Sequence, residues 1–564
     1  MDKKAETSRV RAAGINIFFG YAGTATTALL SFILRKIFIL YLDGTLLGVN
    51  GLYTGILSML SMAELGIGTA FQFALYKPVA EGDRETVRSY LAGYARAYRI
   101  IAVVVAVIGL ALTPFLRFLI RNPGNHSERD LIFYYLIFLF NTVTTYFVSY
   151  KYSLANAEQK NYIQTNVITL TKFATVLLQI VVLIAAKNFY LFLLTDLVVQ
   201  LIQKIAVSLY FDRRYPYLAG VSRIGRRPTG LSDGRQKQAG IEPAGGVRPL
   251  TSEQKEEIRK KTGSLLMHRI GDALRLQTDS IIISAFIEVA VVGMVDNYLL
   301  VVNTIANFVN IIFNSVISGF GNLIATEEEE KQHAMFLVYR FFAAYAYGFS
   351  FVGFFCLLTP LITILFGPEW ALPALAVQLF LVDYYFKGER IVLSNYKTAA
   401  GVFEPDRYLA LLQGGVNLVI SLALVKPMGL AGIYVGTVVS GLIANVTKPV
   451  ILYRTCFNRE GWRSLGAYYA KNLQYLAMSA AALIPSLLLT RWLIPGVSLL
   501  GMPIKGEVAG ITISVPAFLL AAVLITVIFH AVFLLFFGRS KEFGYLKALA
   551  FDRVIGKLGR KRAG

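Results

Sequence analysis

The chain has 564 residues, of which 56% are hydrophobic and 16% charged, with a formal net charge of +21. A soluble protein holds about 25% charged residues, so a soluble enzyme is excluded; the charge lies between apolar blocks rather than on one basic domain, which argues against nucleic-acid binding. Two cysteines, Cys356 and Cys456, both in apolar stretches, support neither a disulfide framework nor a cysteine metal site.

The apolar blocks predict about fourteen spanning helices, which at about 20 residues each use roughly half the chain. The polar opening stretch is too long for a typical cleaved signal, so the first span, 14–42, is expected to stay in the protein. It carries Arg35 and Lys36, and the second span, 45–77, carries Glu64. Spans follow at 90–120, 130–155, 162–186 and 188–212. A long polar stretch over 213–261 then interrupts the pattern. Its middle is rich in Gly, Pro, Arg and Gln and reads as a disordered linker. Thr251 with Gln254 marks a helix start at its end, and the basic residues that follow predict a helix on an anionic inner leaflet, with a solvated charged helix as the other reading. The seventh span, 263–287, places His268, Asp272, Arg275 and Asp279 at steps of four, three and four, hence on one face. The eighth, 292–325, repeats those steps with Asn303, Asn307, Asn310 and Asn314. The glutamates at 327–330 read as a solvated loop rather than a cation site. Spans at 334–358 and 372–397 follow, the latter with Asp383, Lys387, Arg390, Ser394 and Lys397. The last four are 407–426, 430–456, 468–493 and 510–537.

Lys and Arg set the orientation. With the amino terminus in the cytoplasm, roughly 43 of the 55 basic residues fall inside, about 7 outside and about 5 within spans. Both termini are therefore expected in the cytoplasm, and the charge is a signature of topology. The outer loops are short; the longest, near 495–508, holds little polar chemistry.

The linker divides the first twelve spans into two sets of six, and the sets share a motif. Asp43, Gly48 and Tyr53 recur at identical spacing as Glu288, Gly293 and Tyr298, and Gly66 and Gly68 find counterparts in Gly319 and Gly321. An even number of spans per half gives both halves the same orientation, which is a parallel repeat. The expected fold is an all-α polytopic membrane protein: two six-helix lobes related by a pseudo-two-fold along the membrane normal, plus two C-terminal helices. The corresponding segments are an N-lobe at 1–215, a basic linker with a surface helix at 216–262, a C-lobe at 263–457, and the two extra helices with a basic tail at 458–564.

A charge at the bilayer centre costs from about 2.5 kcal/mol upward, so such residues face a cavity or a partner. Arg35 lies eight residues from Asp43, about 12 Å deep, and Asp279 nine from Glu288, about 13 Å. A pair between these repeat-equivalent helices is geometrically sensible. The alternative for each stripe is interhelical hydrogen bonding without any contact to substrate. Snorkelling also accounts for Lys387, Arg390 and Lys397, which lie nearer the inner surface. The candidates for substrate binding are Arg35, Arg275, Arg390, Asn307 and Asn310; those for coupling or gating are Glu64, Asp272 and Asp279. No catalytic residue, metal ligand or cofactor is called for. The only Gly-Lys, Gly556-Lys557, has Phe551 where a P-loop needs its first glycine, and no zinc-protease or nucleophile-elbow motif occurs. A polytopic chain with a repeat, a polar interior and no catalytic constellation reads as a transporter.

Several stretches resemble a known family. The run from Asp279 through Gly293 to Tyr298 resembles the helix 7–8 signature of Wzx-type polysaccharide flippases. Gly401 to Pro405, Asn417 to Ser421 and Gly429 to Thr437 are similar to its helix 10–12 region. Ala63 to Gly68 and Ala157 to Ile163 resemble its amino-terminal half, and Arg213 to Leu218 resembles the end of helix 6 in Gram-positive members. The resemblance covers nearly the whole chain, and it is the order of these motifs that is specific. It implies membership of the multidrug/oligosaccharidyl-lipid/polysaccharide exporter superfamily, with two six-helix lobes around a central cavity. The implied activity is the transfer of undecaprenyl-diphosphate-linked oligosaccharide from the inner to the outer leaflet of the bacterial plasma membrane. The family's cavity arginine on helix 1 would correspond to Arg35 and its helix 7 acid to Asp279. The long basic linker departs from shorter relatives and could bind biosynthetic partners such as a glycan polymerase or glycosyltransferase. Lipid II flippases of the same superfamily likewise have two extra C-terminal helices, so a peptidoglycan precursor is an alternative cargo. A multidrug antiporter and a non-transporting scaffold for envelope assembly are the other readings, the first disfavoured by the Arg and Lys within spans.

Overall fold

The computed structural model describes residues 3–218, 248, 250–402, 405, 408–459, 461–494 and 515–548. The middle of the expected linker, the outer loop 495–508 and the end of the basic tail lie outside the described residues. The described chain is all helix, and it follows the apolar blocks. In order these are α1 (Lys3–Tyr41), α2 (Gly44–Glu81), α3 (Arg84–Leu112), α4 (Glu128–Ala157), α5 (Asn161–Ala186) and α6 (Phe189–Arg214). Then come α7 (Ser252–Leu276), α8 (Thr278–Ile282), α9 (Val289–Ser315), α10 (Ile317–Thr326) and α11 (Glu329–Phe366). The last five are α12 (Ala374–Ala399), α13 (Leu409–Met428), α14 (Leu430–Cys456), α15 (Trp462–Leu493) and α16 (Val515–Phe537).

Short polar side chains start several of these helices by accepting from backbone amides that have no partner within the helix. Asp43 accepts from Leu46 N at 2.9 Å, Asp83 from Thr86 N at 3.0 Å and Ser127 from Asp130 N at 3.2 Å. At α7, Thr251 and Gln254 cap each other reciprocally, at 3.2 and 3.0 Å. From that cap α7 runs unbroken to Leu276, through the point where the sequence separates a surface helix from the seventh span. Arg248, just before it, is held to Glu85 at the start of α3 by an ion pair of 2.7 Å.

Among the described residues, twelve helices are long and apolar enough to cross a membrane. Aliphatic side chains that a soluble fold would bury stand exposed along them, such as Leu170 (69%) and Val181 (61%) on α5 and Leu535 (84%) on α16. The protein is an all-α polytopic membrane protein. Of the fourteen expected spans, the seventh (α7–α8) and the tenth (α12) are not among those twelve. Those are the two segments whose stripes mix positive and negative charges.

Helical packing divides the chain into two compact units, 1–293 and 294–564. In the first, α2 is central and packs on α3, α4, α7 and α8, while α1 lies on α5. In the second, α12 packs on α11 and α14, α13 on α14, and α11 also carries α15 and α16. The seventh span, read from sequence as the start of the C-lobe, thus packs along α2 in the first unit.

The tyrosine of the repeated motif does the same work in each set of six. Tyr53 is fully buried and its hydroxyl donates to Leu131 O, in the first turn of α4, at 2.8 Å. Tyr298, 2% exposed, accepts from Leu372 N, just ahead of α12, at 3.1 Å and donates to Thr359 at 3.2 Å. Each tyrosine therefore ties the second helix of its set of six to the start of the fourth. The motif glycines meet directly: a Cβ on Gly48 would fall 1.8 Å from Val289 O, and one on Gly293 would fall 2.9 Å from Gly48 N. Backbone has nowhere to move there, whereas a Cβ on Gly319, in α10, meets nothing within 4 Å. Gly48→Ala should therefore lower stability by about 1–3 kcal/mol through overpacking, while Gly319→Ala should be neutral or stabilising by about 1 kcal/mol. Thermal unfolding of the two purified variants in detergent checks the contrast; equal midpoints would contradict it.

Candidate functional site

The first unit brings Glu64 into a chain of hydroxyls. On α2, Glu64 and Gly68 lie one turn apart and face α3. The Tyr98 hydroxyl donates to Glu64 Oε1 at 2.5 Å, Tyr94 donates to Tyr98 at 3.0 Å, and Ser153 of α4 donates to Tyr94 at 3.4 Å. Gly68 makes room for this chain, since a Cβ there would stand 2.8 Å from the Tyr98 hydroxyl and 2.9 Å from that of Tyr94. The Ala63–Gly68 motif thus has a local reason: an acid inside an apolar helix, and a gap for the donors that satisfy it. Tyr94 and Tyr98 were not singled out in the sequence, although their four-residue spacing was visible.

Arg35, half-buried on α1, lies within electrostatic range of Lys172 on α5. Lys172 in turn faces Asp196 of α6, which accepts from Asn141 at 3.2 Å and from Gln200 at 3.3 Å. Lys204, 6% exposed, donates to Asn141 O, Asn141 Oδ1 and Thr144 Oγ1, each at 2.8 Å. Farther along the same two helices, Lys151 of α4 donates to Asp212 at 2.7 Å and to Ser208 Oγ at 2.7 Å. This polar seam between α4, α5 and α6 escaped sequence reading because the partners of Asp196 and Lys204, two turns apart on α6, lie on other helices. It becomes a cluster only when three helices are laid together.

The seventh segment is broken where its charges sit. Arg275 is in the last turn of α7, and Asp279 is in the first turn of α8. Gln277 stands between them. Both charges complement the helix ends they occupy, a cation at a C-terminus and an acid at an N-terminus. Thr278 spans the break by donating to Leu274 O at 2.6 Å, and Gly55 of α2 lets the break approach, with Ser280 Cβ at 3.5 Å from where its own Cβ would be. A π-helical turn, Ile283–Ile287, follows. Its carbonyls are held by Arg121, whose side chain donates to Phe286 O at 2.6 Å and whose backbone N donates to Ser284 O at 3.1 Å. Irregular backbone at membrane depth persists only where protein or a water-filled cavity covers it, and π turns concentrate at functional sites. The side chains of His268 and Asp272 lie outside the described residues.

In the second unit the asparagine stripe is largely open. Asn303, Asn307 and Asn314 are exposed, whereas Asn310 accepts from the Tyr347 hydroxyl of α11 at 3.0 Å. Arg390 is 6% exposed and engaged: it donates to Asp383 Oδ1 at 2.6 Å and to Asn445 Oδ1 at 2.9 Å. The network continues through Asn445, which donates to Glu389 at 2.6 Å, and Glu389 also accepts from Tyr468 at 2.5 Å and from Asn472. Arg340 of α11 stacks 3.6 Å from the Tyr468 ring centroid and donates to Tyr468 O at 2.6 Å and to Asn472 Oδ1. One ion pair, Arg390 with Asp383, and the hydrogen-bonded side chains of Glu389 and Arg340 are thereby linked across α11, α12, α14 and α15. Glu389, Arg340 and Asn472 were not among the residues singled out in the sequence. Lys387, one turn from Arg390, is exposed.

Sequence comparison matches no protein-family model and no curated protein to the chain. Solved structures do match. A multidrug resistance MATE family transporter of the MOP superfamily, in an inward-facing conformation, covers 78% of this chain and 98% of its own, at 15% identity and a TM-score of 0.55. The lipid II flippase MurJ, in an inward closed conformation, covers 92% of this chain and 99% of its own, at 11% identity and a TM-score of 0.58. The chain has the fold of these MOP-superfamily proteins. At such identities the likeness concerns the path of the backbone, and the side chains above must carry any account of cargo.

Removing the Glu389 carboxylate leaves the donors of Asn445, Tyr468 and Asn472 without their acceptor, at a cost of about 1–3 kcal/mol for a buried donor left unsatisfied. Glu389→Ala should therefore lower the thermal midpoint far more than Lys387→Ala, read by thermal unfolding of the purified protein. A Glu389→Ala variant as stable as the parent chain would show the network to be dispensable.

Proposed function

We propose that the protein is a membrane transporter that moves undecaprenyl-diphosphate-linked oligosaccharide from the inner to the outer leaflet of the bacterial plasma membrane, with both termini in the cytoplasm. The observation that carries this reading is polar chemistry on the helices of a membrane protein: exposed amides at Asn303, Asn307 and Asn314, and cations at Arg35 and Arg275. Amides facing hydrocarbon would lose their hydrogen bonds to water with nothing in return, so an exposed amide face on a spanning helix calls for water or a polar cargo. Glycan hydroxyls suit amides, which both donate and accept. A diphosphate suits guanidinium groups, whose paired donors replace its water.

In this reading Arg35 and Arg275 receive the diphosphate, and Asn307 and Asn310 contact the glycan. Arg390 joins them only by exchanging its bond to Asp383 for one to cargo. Asp279 and Asp272 would hold the cations between cycles. Glu64 with its tyrosine chain would act as a gating or coupling group. The two halves rock to open the cargo site to each leaflet in turn. An inside-negative potential favours outward movement of an anion by about 2.3 kcal/mol per charge per 100 mV, so voltage alone can bias the cycle. A glycan polymerase or glycosyltransferase is the partner that such a cargo implies.

A second cargo, peptidoglycan lipid II, is favoured by the lipid II flippase structure, which covers 92% of this chain. Both cargoes share the lipid diphosphate and differ in the glycan, so one assay separates them. The full chain in proteoliposomes is given either a diphosphate-linked oligosaccharide or lipid II, and leaflet transfer is followed by accessibility of the sugar to an external reagent. Loss of one charge-assisted contact should slow transfer about tenfold in each of Arg35→Ala and Arg275→Ala. Wild-type rates in a folded double variant would refute the cationic site, and a preference for lipid II would reassign the cargo.

A further inference from the structure

We propose that the first unit carries a second anion site, a phosphate-recognising cavity at one membrane surface that takes the headgroup of an anionic phospholipid. The cavity holds about 450 Å³ of water-accessible space, within the range of ligand pockets. It lies where five helix ends converge: Gly82 follows α2, Arg84 opens α3, Glu158 follows α4, Lys160 precedes α5 and Arg214 closes α6. Successive spans alternate in direction, so these five ends share one side, at headgroup depth. With the orientation read from the basic residues, that side is the inner leaflet.

The lining divides into two chemistries. Pro78, Val79, Val87 and Leu154 form an apolar wall. Arg84, Lys160 and Arg214 supply three cations against the single carboxylate of Glu158. That carboxylate is already engaged, accepting from Lys160 Nζ at 2.6 Å and from the Tyr215 hydroxyl at 2.7 Å. Among the described residues neither Arg84 nor Arg214 has a carboxylate at ion-pair distance. Arg84 instead lies 5.6 Å from the centroid of the Tyr217 ring, which fixes its guanidinium at the cavity without neutralising it. Burial, and then the Glu158 carboxylate, push the Tyr217 phenol up, so that it stays a neutral donor at physiological pH. The lining is left with two positive charges in excess, beside an apolar face.

A free phosphate would use the cations and leave the wall idle. A phosphodiester carrying acyl chains uses both, and a choline headgroup would bring its own cation against two guanidinium groups. The site is distinct from the spanning stripes and uses none of their residues.

The test uses the purified full chain in detergent micelles, with bound lipid counted by native mass spectrometry after addition of phosphatidylglycerol, phosphatidylcholine or inorganic phosphate. The parent chain should retain phosphatidylglycerol in preference to phosphatidylcholine. The Arg84→Gln/Arg214→Gln variant should weaken that retention about tenfold or more. Arg84→Lys/Arg214→Lys should keep most of it, and Arg129→Gln, at the opposite end of α4, should match the parent. An unchanged thermal midpoint without lipid shows that the glutamine variant is folded. Undiminished phosphatidylglycerol retention in that variant, or equal retention of phosphatidylcholine by the parent, overturns the proposal. Complete displacement of phosphatidylglycerol by about 1 mM inorganic phosphate would overturn the lipid assignment in favour of a soluble phosphate.

Discussion

The constraint behind this structure is the cost of holding a charge or an amide away from water. Hydrocarbon offers no hydrogen bonds, so each polar side chain on a spanning helix must find a partner, a cavity or the membrane surface. The structure uses partners and exposed faces side by side. Glu64, Lys204, Arg390, Glu389 and Arg340 sit in hydrogen-bonded groups contributed by neighbouring helices. Asn303, Asn307 and Asn314, by contrast, stand exposed on a helix that otherwise belongs to a membrane. The division separates polar groups that build the protein from those left to meet something else.

That division was only half legible in the sequence. The spans were readable because apolar blocks of about 20 residues admit few other interpretations, and the repeat because glycine and tyrosine recur at fixed distances from an acid. The stripes on the seventh, eighth and tenth segments were readable from their periodicity. What periodicity cannot say is which residue of a stripe is already spoken for. Asn310 and Asn307 differ by one turn, yet one accepts from the Tyr347 hydroxyl and the other is exposed. Partners such as Asn445, Tyr468 and Asn472 are ordinary residues on distant helices, and nothing in their own neighbourhood marks them. The polar seam through Lys172, Asp196 and Lys204 was invisible for the same reason.

The break between α7 and α8 shows the reverse case, in which local sequence gave little warning. No proline lies near Gln277, and the run from His268 to Asp279 keeps helical spacing throughout. The interruption is supported from outside, by Gly55 across the gap, by Thr278 bridging to Leu274 and by Arg121 holding the carbonyls of the π turn. The charges at the break are matched to the ends on which they sit, so the local dipoles and the side chains agree.

The Arg340 and Glu389 network also bears on how a fold of this kind can gain or lose its final pair of helices. Much of the packing of α15 and α16 on α11 is aromatic, through Phe341, Tyr475, Phe533 and Phe537, and lipid tails would replace such rings at little loss. The donors that α15 brings to Glu389, and the ring it lays over Arg340, have no such substitute. A polypeptide that stopped after Cys456 would lack the groups that cover the Arg340 guanidinium, and would leave the Glu389 carboxylate with Asn445 but without Tyr468 and Asn472. Shortening in descent would therefore have to neutralise positions 340 and 389 together, so the terminal appendage and those two residues are expected to be inherited or discarded as a set.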